Sequence, residues 1–142
     1  MMRVLHVGPG TFQPINADAV HEHQLEPEWY CVPEATRNLL AETKSRGRRI
    51  VAVGTTSVRT LETLARQPES AGDCTGWADL LIAPPFEFKL VDAILTNFHL
   101  PRSSLIALVA AFAGLERTLA TYRVAVGERY RFYSYGDAML IT

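Results

Sequence analysis

Residues 49–67 read RIVAVGTTSVRTLETLARQ, and this stretch decides the fold class. Residues 49–54 form a continuous apolar run, as expected for a central strand buried on both faces. They lead directly into residues 55–67, whose pattern predicts a helix. A strand, a glycine, a hydroxyl-rich turn and a helix in this order are typical of α/β proteins.

The sequence before this stretch predicts another strand and another helix. A short β-branched run at residues 4–7 predicts a strand, and a glycine-proline-glycine cluster at residues 8–10 closes it. Pro33 suits the first position of a helix, Glu34 suits its positive end, and Gly47 ends it. The helix is amphipathic and is expected to cover a sheet.

The sequence after residue 67 continues the alternation of strands and helices. The predicted elements are a polar surface loop at 67–77, strands at 80–82 and 90–95, helices at 103–113 and 115–129, and two extended stretches around 135–137. We therefore predict a single α/β domain over residues 1–142, with a mixed sheet flanked by helices.

The composition is that of one ordinary folded domain. Hydrophobic residues make up 48% of the 142 residues and charged residues 20%, which excludes a disordered chain, and the net charge of −1 excludes a strongly basic one. No apolar stretch approaches the roughly 18 residues of a membrane span, and no signal peptide is recognisable, so no membrane association is expected. Cys31 and Cys74 lack metal-ligand spacing and are expected to be reduced thiols in a cytoplasmic protein.

The hydroxyl-rich turn at residues 54–59 is the first candidate binding site. A helix N-terminus has unpaired amides and a partial positive charge, which suit a phosphate, a carboxylate or ribose hydroxyls. Thr55, Thr56 and Ser57 add hydroxyl groups, and Arg59 adds a forked donor. Because Thr and Ser are also ordinary helix caps, capping and ligand binding both remain open.

The run TNFHLP at residues 96–101 is the second candidate. It follows the apolar run of residues 90–95, and α/β proteins place their ligands at the carboxyl ends of strands. His99 could move a proton near neutral pH, and Asn97 could read an amide or a base edge. A structural hydrogen-bonding role for His99 is the alternative.

Two glycine-containing clusters near the ends of the chain are weaker candidates. Residues 7–12, VGPGTF, follow His6 and include Gly10, where a backbone could approach a ligand closely. Tyr135 and Asp137 flank a glycine, and as a bare pattern they most often form a turn with an Asp cap.

A metal site is not expected. His21 and His23 are followed by Glu26 and Glu28, but no second cluster completes a ligand set except the distant His6 or His99, and the segment has the composition of an irregular loop. We therefore predict that the chain binds no metal.

Four motifs of the chain resemble, in order and spacing, the S-adenosylmethionine:tRNA ribosyltransferase-isomerase family of queuosine biosynthesis. They are HVGPGTF, VGTTSVRTLE, PPFEFKLVDAILTNFHLP and YRFYSYGDAM. The resemblance runs from about residue 5 to residue 141 and concerns the C-terminal part of that family.

The resemblance implies an activity. Members of this family attach the ribosyl portion of S-adenosylmethionine to 7-aminomethyl-7-deazaguanine in tRNA, which gives epoxyqueuosine and releases adenine and methionine. S-adenosylmethionine is then a consumed substrate, tRNA is the partner, and neither a cofactor nor a metal is implied. The chemistry needs a base beside the sulfonium, groups that position the ribose, and a donor that helps adenine to leave.

Chemical type and position then suggest roles for individual residues. The candidates for moving protons are His99 and Asp137. The candidates for holding ribose or methionine groups are Thr55, Thr56, Ser57 and Arg59. The further candidates for substrate binding are Asn97, which would orient a base or ribose edge, and His6, Gly10 and Tyr135.

The chain departs from the family pattern at several positions. Pro9 stands where a small residue is usual between the glycines of the first motif, and it removes one amide donor. Glu26 stands where the family often has a second histidine, and Pro85 where it often has glycine.

Length is the larger departure. Members of this family are usually more than twice as long, and the chain begins at what would be the middle of one. Three interpretations of the short length remain open: the chain is a fragment, its start is wrongly assigned, or it is half of a split enzyme. In the last case another chain supplies the missing N-terminal portion. Independent catalysis is not expected, because half of a preorganised site supplies little of the catalytic geometry. A nucleotide- or tRNA-binding module without turnover and a structural remnant are the alternatives.

Overall fold

The computed structural model describes residues 4–5, 25–68 and 72–142 of the chain. These residues form six strands and four helices. In chain order they are β1 (Val4–Leu5), β2 (Glu28–Val32), α1 (Glu34–Ser45), β3 (Val51–Val53), α2 (Thr55–Leu64), β4 (Cys74–Ala78), β5 (Ala93–Asn97), α3 (Ser104–Ala113), α4 (Leu115–Gly127) and β6 (Ala138–Ile141).

The described strands form two three-stranded sheets. In one sheet, β2 lies between β1 and β4 and is antiparallel to both. In the other sheet, β5 lies between β3 and β6, parallel to β3 and antiparallel to β6. The predicted α/β class with a mixed sheet is therefore confirmed, and the sheet centred on β2 is an addition to it.

The helices begin and end where the local sequence indicates. α1 follows Pro33, and Gly47, in the left-handed region with a φ of 64°, lies just beyond its end. Ser103 caps α3, because its hydroxyl oxygen accepts a hydrogen bond from the amide of Ile106 at 3.3 Å. Gly114, with a φ of 88°, separates α3 from α4. The four predicted helices are confirmed.

β3 differs from the predicted central strand. Ala52 is buried and packs in the main core with Val58 and Leu61 of α2. Its neighbours Val51 and Val53 are 50% and 61% exposed. The prediction of burial on both faces is wrong, because among the described strands β3 pairs with β5 alone and α2 covers one of its faces.

Several other boundaries are corrected. The polar loop predicted at residues 67–77 includes β4, which pairs with β2 along its whole length. Residues 80–82 are not a strand, although Ile82 is buried in the main core. β5 begins at Ala93 rather than at residue 90. Of the two extended stretches predicted around residues 135–137, only the second is a strand, β6, and a turn precedes it.

An aromatic cluster fixes the segment that follows β5. Phe98 is buried, and its ring centroid lies 5.5 Å from that of Tyr122 in α4 and 5.4 Å from that of Phe132. Such aromatic pairs contribute roughly 0.5–1.5 kcal/mol each beyond the burial of their area. The backbone around residue 98 is therefore held from two sides.

Candidate functional site

A cleft of about 190 Å³ lies where β3 and β5 end. Because these two strands are parallel, their carboxyl ends meet at the same edge of the sheet. The N-terminus of α2, the segment between β5 and α3, and the turn before β6 form its walls. The described residues that line it are Gly54, Thr55, Thr56, Thr96, Asn97, Phe98, His99, Leu100, Ser103, Leu105, Tyr133 and Ser134.

Thr55 and Thr56 present the N-terminus of α2 to the cleft. Gly54 turns the chain from β3 into α2 with a φ of 85°, and its amide donates to the carbonyl of Leu95 at 2.8 Å. Among the residues that the structure describes, no side chain caps this helix. Thr55 is only 7% exposed and lines the cleft. The first turn of α2 therefore retains donors that a ligand in the cleft can use.

His99 lies in the same cleft with its imidazole held in place. Its Nε2 lies 3.0 Å from the hydroxyl of Thr96, and its amide donates to the Tyr122 hydroxyl at 3.0 Å. Burial lowers the pKa of His99 to about 4, since the surroundings disfavour the charged form. The ring is therefore neutral at pH 7 and has one donor and one acceptor nitrogen.

Asn97 joins the cleft to the turn before β6. Its side-chain amide donates to the carbonyls of Gly136 and Asp137, each at 3.3 Å. A Cβ at Gly136 would lie 2.3 Å from the carbonyl oxygen of Arg131 and 2.6 Å from that of Phe132. The turn therefore requires glycine at this position, and Asn97 ties it to the end of β5.

Ser57 and Arg59 do not line the cleft. The Ser57 hydroxyl donates to the carbonyl of Val53 at 2.6 Å. Arg59 is 2% exposed, and its Nη2 lies 2.5 Å from Oε2 of Glu28 in β2. The structure thus places the Arg59 guanidinium of α2 in a buried ion pair with Glu28 of β2 rather than in the lining of the cleft.

Asp137 and Tyr135 also lie outside the cleft. The carboxylate of Asp137 accepts hydrogen bonds from the amide and the Nη2 of Arg131, at 2.7 and 2.9 Å. This bonding holds the pKa of Asp137 below its usual value, so the group is a weak base. Tyr135 is 99% exposed. The structure therefore does not bring either side chain into the lining of the cleft.

The remaining predicted residues lie outside the described part of the chain. They are His6 and Gly10, together with His21 and His23 of the segment considered for a metal. Among residues 25–68 and 72–142, no group of three His, Cys, Asp or Glu side chains could hold a metal ion.

In residues 25–68 and 72–142, no single helix is long and apolar enough to cross a membrane. Helices α3 and α4 reach the necessary length only as a pair bent by 116°.

Comparison with known proteins identifies the family. A family model described as queuosine biosynthesis protein matches residues 2–141. The chain belongs to the queuosine biosynthesis protein family.

Relatives in the queuosine biosynthesis family are longer than this chain. The S-adenosylmethionine:tRNA ribosyltransferase-isomerase of Thermotoga maritima is 61% identical over 138 residues, which are 97% of this chain and 41% of that protein. The protein of the same name from Paraburkholderia phytofirmans is 51% identical over 97% of this chain and 40% of its own length. A crystal structure of the S-adenosylmethionine tRNA ribosyltransferase from Thermotoga maritima matches with a TM-score of 0.78 and 63% identity, covering 81% of this chain and 41% of that chain. The chain spans about two fifths of the length of the curated relatives it matches.

In this member of the queuosine biosynthesis family, the cleft includes residues that the sequence did not single out. Tyr133 and Ser134 reach it from the turn before β6. Tyr133 has a φ of 71°, and its amide donates to the carbonyl of Phe98 at 3.0 Å. No local pattern indicates such a contact between residues that are far apart in sequence. The sequence does single out Ser103, because it precedes a predicted helix. That pattern predicts a helix cap, however, and not a residue that lines a cleft.

Proposed function

We propose that this chain takes part in the transfer and isomerisation of the ribosyl group of S-adenosylmethionine onto 7-aminomethyl-7-deazaguanine in tRNA, with release of adenine and methionine. The observation that carries the proposal is the cleft at the carboxyl ends of β3 and β5 in a chain 61% identical to a protein named for this reaction. The products would be epoxyqueuosine-containing tRNA, adenine and methionine.

The cleft supplies three kinds of group that this reaction needs. The first turn of α2 offers the Thr55 hydroxyl and free backbone amides for positioning the donor. The side-chain amide of Asn97, already bonded to the turn before β6, fixes one wall of the cleft. The neutral imidazole of His99 offers an acceptor for a proton or a donor to a leaving base.

S-adenosylmethionine is a consumed substrate in this proposal. Both leaving groups, adenine and methionine, come from it, so the reaction requires no separate carrier of the ribosyl group. We propose that neither a metal nor a cofactor takes part. The tRNA partner places the reaction in the cytoplasm, without a membrane.

Binding without turnover is the second candidate. The chain corresponds to 41% of the Thermotoga maritima relative, and two of the predicted site residues, Arg59 and Asp137, are engaged in ion pairs away from the cleft. In this case the chain holds the donor, and a second polypeptide that corresponds to the rest of the relative's length completes the catalytic site.

The release of adenine tests both candidates. The chain is incubated with S-adenosylmethionine and with tRNA that carries 7-aminomethyl-7-deazaguanine, alone and with a polypeptide that covers the other part of the Thermotoga maritima relative. The matched control is the same tRNA with an unmodified guanine at that position. Adenine formed only with the modified tRNA supports the proposed reaction, either by the chain alone or by the mixture. No adenine from the mixture, although the intact relative is active in the same assay, contradicts it.

A further inference from the structure

The turn before β6 holds an aromatic side chain in solvent. Tyr135 is 99% exposed, whereas Tyr130 and Phe132 of the same segment pack against Phe98, with ring centroids 5.6 and 5.4 Å from its own. A single exposed aromatic residue is common on protein surfaces and carries little information by itself. The backbone that carries Tyr135 and the residues around it are what distinguish this one.

Hydrogen bonds on both sides of Tyr135 fix this backbone. The amide of Asp137 donates to the carbonyl of Arg131 at 2.8 Å, and the Asp137 carboxylate accepts from the amide of Arg131 at 2.7 Å. The amide of Gly136 donates to the carbonyl of Tyr133 at 2.9 Å. The turn therefore presents the Tyr135 ring to solvent from a backbone that is held in place.

The exposed ring belongs to a segment that borders the cleft. Tyr133 and Ser134 line the cleft, and Tyr135 follows them directly. In the segment between β5 and α3, the exposed Arg102 directly precedes Ser103, which also lines the cleft. Tyr135 and Arg102 are thus each one residue away from the lining, outside the cleft and next to it.

Backbone strain is concentrated in the same two segments. Among the described residues, the non-glycine residues with a positive φ are Arg102, Arg129 and Tyr133, at 56°, 60° and 71°. This conformation costs free energy for a bulky side chain, and glycine would adopt it without that cost. Retaining arginine and tyrosine at such positions indicates that their side chains are needed there.

Two arginines near the turn are available to an anion. Both Arg102 and Arg129 are exposed, and the ion pairs among the described residues include neither of them. Of the two acids in residues 128–137, Asp137 is bound to Arg131, so Glu128 is the one that opposes these positive charges. The surface beside the cleft thus combines an exposed aromatic ring with guanidinium groups.

This combination suits single-stranded nucleic acid. Unpaired bases stack on aromatic rings, and guanidinium groups bind the phosphates between them. A double helix offers no unstacked base to such a ring, so RNA loops are favoured over stems. The anticodon loop of a tRNA is unpaired and contains the base on which the proposed reaction takes place.

We infer that the turn before β6 is a contact surface for the tRNA: Tyr135 stacks on an unpaired base of the anticodon loop, and Arg102 and Arg129 bind its phosphates. The inference rests on the proposed function for the identity of the RNA. It adds to that function a binding mode and the three residues that provide it, all outside the lining of the cleft.

The stacking is tested by the affinity of the full chain for an anticodon stem-loop RNA that carries 7-aminomethyl-7-deazaguanine. Fluorescence anisotropy of the labelled RNA gives the Kd. Tyr135→Leu keeps an apolar side chain without a ring and should weaken binding about fivefold or more. Tyr135→Phe keeps the ring and should bind as the wild type does. Because the side chain is exposed, melts without RNA should show equal stability for both variants.

The phosphate contacts are tested by the dependence of the Kd on salt. Arg102→Gln and Arg129→Gln should each reduce the slope of log affinity against log salt concentration by about 0.7, the value for one phosphate contact on a single strand. The matched control is Arg48→Gln. Arg48 is exposed and precedes β3, whose other end borders the cleft, so its replacement should leave the slope unchanged.

The inference and the proposed function can fail separately. Equal affinities of Tyr135→Leu and the wild type would overturn the inference, and so would equal binding of the stem-loop and of a duplex of the same length, or no binding of the stem-loop. None of these results decides whether adenine is released. Conversely, binding of the stem-loop through Tyr135 supports the inference even if the mixture of the two polypeptides forms no adenine.

Discussion

His99 makes the stability of the chain depend on pH. Its pKa is about 4 in the folded chain because of burial, against about 6.5 in an unfolded chain. Between these values the unfolded chain binds a proton that the folded chain does not, so stability is complete above about pH 6.5 and falls as the pH is lowered. We expect a loss of about 2 kcal/mol between pH 7.5 and pH 5.

Urea unfolding at the two pH values measures this loss. His99→Gln keeps a polar side chain but does not titrate, so its stability should change by about 2 kcal/mol less over the same interval. The remaining histidines are present in both proteins and cancel in the comparison. Glu62 and Asp92, whose pKa values are lowered in the fold, titrate at lower pH and do not contribute to the difference. Equal losses in the two proteins would refute the buried, neutral state of His99.

The proposed catalytic role of His99 has a separate test. In the preparation that releases adenine, His99→Ala should lower kcat about 100-fold or more, as removal of a general acid or base does, and should change the KM for S-adenosylmethionine much less. An unchanged kcat would remove His99 from the mechanism and leave it a structural partner of Thr96.

Glu62 is a structural carboxylate rather than a catalytic one. It is fully buried and accepts hydrogen bonds from the amides of Lys89, Leu90 and Val91, each at 3.0 Å, and from Arg66 at 2.7 Å. Burial raises its pKa, but these hydrogen bonds outweigh burial and leave the pKa below its usual value. The side chain thus anchors the segment that leads into β5.

Replacing this carboxylate should cost much of the stability of the chain. In Glu62→Gln an amide nitrogen faces backbone donors, so we expect about 3 kcal/mol of destabilisation in urea unfolding. Glu87→Gln, at an exposed position in the same segment, is the control and should change stability by less than about 0.5 kcal/mol. Similar effects in the two variants would show that the anchor is unimportant.

At the scale of the elements, the turn before β6 depends on one glycine. Gly136→Ala would push a Cβ to 2.3 Å from the Arg131 carbonyl oxygen, so the turn must move and Asn97 must lose its two acceptors. We expect destabilisation of about 2 kcal/mol or more. Gly127→Ala, at the end of α4 with no atom within 4 Å of the new Cβ, should be neutral or stabilising by up to about 1 kcal/mol. Thermal melts of the pair check this, and a harmless Gly136→Ala would contradict the described turn.

Helices were predictable from sequence because their signals are local. Pro33, Ser103 and Gly114 each mark a boundary through the conformation or hydrogen bond of a single residue. β4 was not predictable, since Gly76 interrupts its pattern and Trp77 is 62% exposed. Its strand conformation depends on pairing with β2, which is more than forty residues away in sequence.

The difference between local signals and contacts that are distant in sequence also applies to the residues of the cleft. The cleft is lined by Thr55 and Thr56 on one side and by Asn97 and His99 on the other, because the parallel strands that precede them end at the same edge of the sheet. The sequence indicates such strands. The direction of the Arg59 side chain does not follow, because its partner Glu28 lies in β2, 31 residues away in sequence. Sequence therefore located the cleft but could not separate cleft residues from residues engaged in ion pairs beside it.

At the scale of the whole molecule, the described fold contains the cleft within one chain, although the chain spans about two fifths of its relatives' length. Residues from α2, β5, α3 and the turn before β6 form the walls, and the aromatic cluster of Phe98, Tyr122 and Phe132 holds two of these segments together. The account therefore requires that this chain binds the donor without help from another polypeptide.

Thermal melting of the purified chain with and without S-adenosylmethionine tests this requirement most directly. A ligand at 100 times its Kd adds about 2.7 kcal/mol to the stability of the native state. The account predicts a cooperative transition whose midpoint rises by several degrees as S-adenosylmethionine is added. A cooperative transition that stays at the same temperature up to the highest soluble concentration of S-adenosylmethionine would contradict it.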